Sequence, residues 1–129
     1  MPSSSASAPP SNSRPRSDTA VIETDRSDGS QIVTVFRSRL RPEAGAEYHE
    51  TAERMLELAR TMPGFVDFKS FEADDGERVS VITFDSSEAQ RAWRDHPEHR
   101  AAQKIGRERF YASYDISVCA LSSKSTFEA

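Results

Sequence analysis

The sequence predicts an α+β fold in which helices cover one face of a four-stranded antiparallel sheet. Three observations carry this expectation. Four segments alternate apolar and polar side chains, two stretches repeat apolar residues at intervals of three and four, and Asp74-Asp75-Gly76 marks a tight hairpin between two of the alternating segments.

The first strand is Gln31 to Leu40, with Ile32, Thr34, Phe36, Ser38 and Leu40 facing one way and Val33, Val35, Arg37 and Arg39 the other. Pro42 and Gly45 break it. From Glu47 the apolar positions Tyr48, Ala52, Met55, Leu56, Ala59 and Met62 give a helix with one buried stripe, ended by Pro63-Gly64. Phe65 to Glu72 and Arg78 to Phe84 are strands two and three, paired antiparallel because Gly76 can take the positive φ of a tight turn. Asp85-Ser86-Ser87-Glu88 offers an N-cap and an acidic first turn to a short helix carrying Ala89 and Trp93. Pro97 interrupts that helix. With His96 or Asp95 as cap and Pro97 at the first position, a new helical stretch runs through Ala101, Ala102 and Ile105 towards Gly106. The fourth strand, Phe110 to Leu121, sets Phe110, Ala112, Tyr114, Ile116, Val118 and Ala120 on one face and Tyr111, Ser113, Asp115, Ser117 and Cys119 on the other. The order βαββαβ is the ferredoxin-like arrangement, with the helices on one face. The other face carries either Phe65 and Phe71 or Val66 and Phe68, a patch that predicts burial in a twofold dimer.

Residues 1–30 are rich in Ser, Pro, Asp and Arg and poor in large apolar side chains, so a disordered tail is expected. The acid-poor start, with Arg14 and Arg16, also has some character of a transit peptide, which Pro2, Pro9, Pro10 and Pro15 oppose. One domain over 31–121 follows, then a flexible C-terminal tail over 122–129. Among 129 residues no apolar run is long enough to span a membrane. A net charge of −4 provides no field to gather nucleic acid or anionic lipid, so neither is an expected partner. A lone cysteine, Cys119, excludes a disulfide scaffold and fits a reducing, cytoplasmic setting.

The stretch IVTVFRSRLRPEAGAEYHETAERMLELARTMPGFVDFKSF, followed by VSVITFDSSEAQRAWRDHPEHRAAQ, resembles the antibiotic-biosynthesis monooxygenase domain family. The resemblance rests on Arg-Pro-Glu-Ala-Gly after strand one, the Met-Pro-Gly-Phe turn, Phe84-Asp85-Ser86-Ser87-Glu88, and Trp93 ahead of His-Pro-Glu-His. It implies a dimeric α+β barrel, and an activity among cofactor-independent oxygenases of aromatic phenols, quinol monooxygenases and haem-degrading monooxygenases. The haem-degrading members resemble one another in a strand Asn, a helix Trp and a haem-ligating His beyond it. Here Trp93 matches, but the Asn position falls at Ser38 and the ligand position at Ala102 or Gln103. No cofactor is therefore expected, and haem chemistry ranks third.

The leading expectation is an oxygenase of a planar aromatic phenol or quinol, with that small molecule and O2 as the partners of a homodimer. A dimeric binding or accessory protein without chemistry is the alternative. Four residues are the candidate catalytic set. His99, with an ordinary pKa of ~6.5, is the general base, or else a packing histidine. Trp93 is the platform for a planar ring, or a core tryptophan. Tyr114 and Arg37 are donors to developing oxyanion charge, unless Arg37 and Arg39 pair with carboxylates across the sheet. Phe36, Ser38, Phe84 and Gln103 complete the expected substrate-binding set. Tyr111 and Tyr114 alternate along the strand, so only one is expected in the pocket. His96 and His99, beside Asp95 and Glu98, lack a third ligand, and no metal site is expected. Whether Trp93 and His99 converge depends on the kink at Pro97.

Overall fold

The computed structural model describes residues 30–129; the expected disordered tail or transit peptide lies outside the described residues. The elements are β1 (Ile32–Leu40), α1 (Gly45–Thr61), β2 (Phe65–Glu72), β3 (Arg78–Phe84), α2 (Ser87–Arg94), α3 (Pro97–Ile105) and β4 (Tyr111–Ala120), with a π-helical turn over Gly106–Phe110. The four strands form one antiparallel sheet in the order β2-β3-β1-β4, the ferredoxin-like topology. Residues 121–129 form no helix or strand, although the Leu121 N–H donates to the Gln31 carbonyl at 2.9 Å.

Local chemistry sets the boundaries. Gly64, with φ of 84°, turns the chain out of α1, and Gly76, with φ of 90°, closes the β2–β3 hairpin. The Asp75 carboxylate also accepts from the Glu77 N–H at 3.0 Å in that hairpin. Ser86 caps α2 by accepting from the Ala89 N–H at 3.1 Å. His96 caps α3, its Nδ1 accepting from the Glu98 N–H at 3.1 Å, and Pro97 occupies the first helical position. Helix α1 begins at Gly45, two residues before the expected start at Glu47.

On the helix-covered face the register places side chains in rungs across the sheet. Phe65, Phe84, Ile32 and Ala120 form one rung, and Phe68, Ile82, Thr34 and Val118 the next. Then come Ser70, Ser80, Phe36 and Ile116, and last Glu72, Arg78, Ser38 and Tyr114. At one end Ala59, Ile82, Phe84 and Trp93 form a buried core, with Met62, Phe65, Phe68 and Ala89 packed on it. At the other, Ala44, Tyr48 and Phe110 form a second core with Leu40, Ala52, Ile105 and Tyr111. Between them the sheet carries Thr34, Ser70 and Ser80, and the helices above carry Ala52 and Ala102, side chains too small to fill the layer.

Two bulges correct the expected facing of side chains. Phe65 pairs with Phe84 and Asp67 with Thr83, which makes Val66 the extra residue. Phe65 and Phe68 therefore both face the helices and Phe71 is the aromatic left on the open face, where Phe65 with Phe71 or Val66 with Phe68 were expected. In β4, Ser38 pairs with Tyr114 but Leu40 pairs with Tyr111, leaving Ala112 unpaired. The bulge turns Tyr111 onto the same face as Tyr114, so the expected alternation does not hold. Phe110, expected in the strand, ends the π-helical turn, with its ring centroid 5.7 Å from that of Tyr48. Gly106 permits this closure, because a Cβ there would lie 2.6 Å from the Tyr111 ring.

Candidate functional site

The unfilled layer is a cavity of about 420 Å³ between the sheet and all three helices, open beside β4 where Ile116 and Val118 are half exposed. Its floor is Thr34, Phe36, Ser80 and Ile82, and its wall includes Trp93, His99 and Gln103. Mostly apolar concavities with a few polar groups are the usual form of small-molecule sites.

Trp93 and His99 meet there. Their rings stack with centroids 4.1 Å apart and planes 30° apart, although they belong to different helices. The break between α2 and α3 makes this possible. Asp95 holds the corner, accepting from Arg94 at 2.8 and 2.9 Å and from Arg100 at 3.0 Å. These bonds, Arg94 first, lower the Asp95 pKa to about 2. Helix α3 is tied in turn to α1 by the bidentate Arg54–Glu98 pair.

His99 Nδ1 lies 3.2 Å from the Arg94 carbonyl oxygen. A carbonyl only accepts, so Nδ1 carries the proton and the neutral ring keeps a lone pair on Nε2. Burial against Trp93 pushes the His99 pKa below its ordinary value, the Arg94 carbonyl opposing in part. At neutral pH the ring is accordingly an unprotonated base. Burial also raises the pKa of Tyr111, keeping its phenol protonated. Tyr111 and Tyr114 line the opposite end of the cavity, 5.4 and 5.5 Å from the Phe36 ring. Beside them Arg78 donates to the Tyr48 hydroxyl at 3.2 Å and to Glu72 at 3.2 Å.

The cavity brings together His99, Trp93, Tyr114, Phe36 and Gln103. The other three expected site residues lie elsewhere. Arg37 is on the open face of the sheet, where it donates to both carboxylate oxygens of Glu77 at 2.8 Å. Arg39 is held beside it by Asp75 at 2.7 Å. Phe84 is fully buried behind Trp93, with ring centroids 5.5 Å apart, and is a core residue. Ser38 faces the helices but is buried within the end rung, between Arg78 and Tyr114, rather than lining the cavity.

Sequence reasoning passed over Thr34, Gln90, Arg78 and Tyr48, which all line the cavity. Two signals were available. Thr34 interrupts the apolar face of β1 between Ile32 and Phe36, and Gln90 lies three residues before Trp93 on the same side of α2. Thr34 and Gln90 are 6% and 7% exposed. Among the described residues the Thr34 hydroxyl and the Trp93 indole N–H are buried without a hydrogen-bond partner. Each such group costs about 1–3 kcal/mol of desolvation.

Residues 31–105 match the family model for antibiotic biosynthesis monooxygenases. The chain is 38% identical over 94 residues to the uncharacterized protein YqjZ of Bacillus subtilis, covering 73% of this chain and 82% of that protein. Its fold is similar to that of Rv0793 from Mycobacterium tuberculosis, with a TM-score of 0.67, 20% identity, and coverage of 75% of this chain and 100% of that one. It is likewise similar to SnoaB, a cofactor-independent oxygenase of Streptomyces nogalater, with a TM-score of 0.64, 15% identity, and coverage of 74% and 96%.

The stacked pair gives a direct optical readout, because Trp93 is the sole tryptophan and a protonated imidazole quenches indole emission. Since burial lowers the His99 pKa, emission is expected to stay high through neutral pH and fall only as pH drops below ~6.5. The His99→Ala protein is expected to lose the transition. A midpoint at or above ~6.5 would contradict a desolvated imidazole.

Proposed function

Because the chain belongs to the antibiotic biosynthesis monooxygenase family, we propose that it is a cofactor-independent monooxygenase of a planar phenol- or quinol-type small molecule, acting as a homodimer. The observation that carries this reading is the His99–Trp93 stack on the cavity wall, with Nδ1 held by the Arg94 carbonyl and Nε2 free to take a proton. Trp93 supports the ring of the substrate, and Nε2 removes an acidic proton from it. The resulting anion is electron-rich enough to pass one electron to O2, and recombination of the radical pair forms a carbon–oxygen bond. With anthrone the peroxide then loses water. One oxygen atom enters the product as a new carbonyl, the other leaves as water with the two methylene hydrogens, and anthrone plus O2 becomes anthraquinone plus water. The protein binds, deprotonates and excludes solvent. Ala102 and Gln103 carry no imidazole, so no step is assigned to haem.

Tyr114 and Tyr111 close the far end of the cavity and select for ring length. Arg37 has no part in this scheme, since its guanidinium is committed to Glu77 on the opposite face.

The dimer reading rests on the open face of the sheet, where Val33, Val35, Val79 and Val81 lie beside Phe71, itself 51% exposed. The same chain's paired Arg37–Glu77 and Arg39–Asp75 edge this stripe, so a second copy meets an apolar centre with neutralised charges beside it. Cys119 is free and exposed, which suits the reducing cytoplasm we assign to the protein. No helix among the described residues is long and apolar enough to cross a membrane.

Oxygen uptake with anthrone or menadiol tests the chemistry. Catalytic uptake is expected in the wild type, and His99→Ala should lower kcat by at least about 100-fold with a smaller change in KM. No uptake with either compound, or equal kcat in the two proteins, would contradict the reading; bound anthrone with no turnover would indicate a binding module instead. Sedimentation equilibrium at micromolar concentration is expected to give a dimer that Val81→Lys converts to monomer, and a wild-type monomer would refute that assembly.

A further inference from the structure

Buried polar side chains almost always find a partner, so the ones that do not identify where a ligand completes the structure. Both buried side-chain polar atoms without a partner among the described residues, Thr34 Oγ1 and Trp93 Nε1, belong to residues that line the same cavity. Gln90, a residue only 7% exposed, has a carboxamide that makes no hydrogen bond among the described residues, and it lines that cavity too.

The three come from the two layers that enclose the cavity. Thr34 is paired with Ile82 in the sheet, and Ile82 packs in the same core cluster as Trp93. Gln90 precedes Trp93 by one helical turn, so both side chains project from the same side of α2. A hydroxyl on the floor thus shares the cavity with an indole N–H and a carboxamide on the wall, amid the apolar surfaces of Phe36, Phe68, Met55 and Leu56.

We propose that Thr34 and Gln90, together with the Trp93 indole, form the recognition site for a ring oxygen of an aromatic ligand, and that Thr34 and Gln90 determine specificity for it. The indole N–H only donates, whereas the hydroxyl and the carboxamide both donate and accept. The set therefore matches a phenolic hydroxyl, which accepts from Trp93 and donates to Thr34 or Gln90. It matches an enolate oxygen equally, receiving up to three donors as charge develops on it. A hydrocarbon ring of the same shape would leave all three groups unpaired and is rejected for that reason. The site deepens the reading of the cavity as an aromatic pocket and rests on it.

Equilibrium dialysis of the full chain with 1-naphthol and with naphthalene separates the two ideas. The wild type is expected to bind 1-naphthol at least tenfold more tightly than naphthalene. Thr34→Val and Gln90→Met should each cut that ratio severalfold, and the double variant should bring it near one, with naphthalene affinity no lower than in the wild type. Without ligand, Thr34→Val should melt no lower than the wild type, since an isosteric methyl replaces an unpaired hydroxyl; a hydroxyl with a purely structural role would lower the melting temperature. A ratio that survives the double substitution, or is already near one in the wild type, overturns the recognition site while leaving the aromatic pocket standing. Binding of neither compound overturns both.

Discussion

One residue without an N–H organises the site. Pro97 cannot continue α2, and it drives His96 into extended backbone, with φ of −60° and ψ of 134°. The chain therefore leaves one helix at Arg94 and enters another at Pro97, and the change of direction lets His99 fold its ring back onto Trp93. In an unbroken helix, residues six apart would lie on different sides of the cylinder. Every polar contact around the corner defends this geometry: Asp95 with Arg94 and Arg100, His96 with the Glu98 N–H, and His99 with the Arg94 carbonyl.

The cavity that this pair faces is a consequence of side-chain size. Aromatic and branched residues close the layer at both ends, whereas the central rungs offer Thr34, Ser70 and Ser80 to helices that answer with Ala52 and Ala102. The Ser70 and Ser80 hydroxyls bond each other at 2.7 Å, so that part of the floor needs nothing more. Thr34 has no such neighbour. The low polarity around its unpaired hydroxyl also lowers the His99 pKa, so one environment underlies both the recognition and the proton abstraction proposed above.

Periodicity made most of the fold legible, because the pattern of large side chains was consistent over whole elements and Gly76, Pro63-Gly64 and Pro97 marked the ends. Single-residue insertions were not legible. Val66 and Ala112 carry no compositional signature of a bulge, yet each reverses the facing of its neighbours, which moved Phe65 and Tyr111 to the helix side. Within the site, Trp93 and His99 were visible as residue types, but their contact depends on a corner that no spacing rule describes. Arg37 follows the plain alternation of β1, which sets it opposite Thr34 and Phe36; its chemistry as a donor had suggested otherwise. Phe84 shares a face with the pocket but lies one rung too far along, under Ala59 and Trp93. Gln90 and Thr34 left only faint signals, a break in the apolar face of β1 and the spacing to Trp93, and it is their burial that marks them as site residues.

The central claim is that a planar ligand binds against Trp93 in this cavity, and the single tryptophan lets one resonance decide it. In a nitrogen–proton correlation spectrum of the isotope-labelled protein, the lone indole N–H signal belongs to Trp93 without further assignment. Adding anthrone under anaerobic conditions is expected to shift that signal downfield and slow its exchange with water as the unpaired donor gains an acceptor. An indole signal unmoved at saturating anthrone would contradict the account.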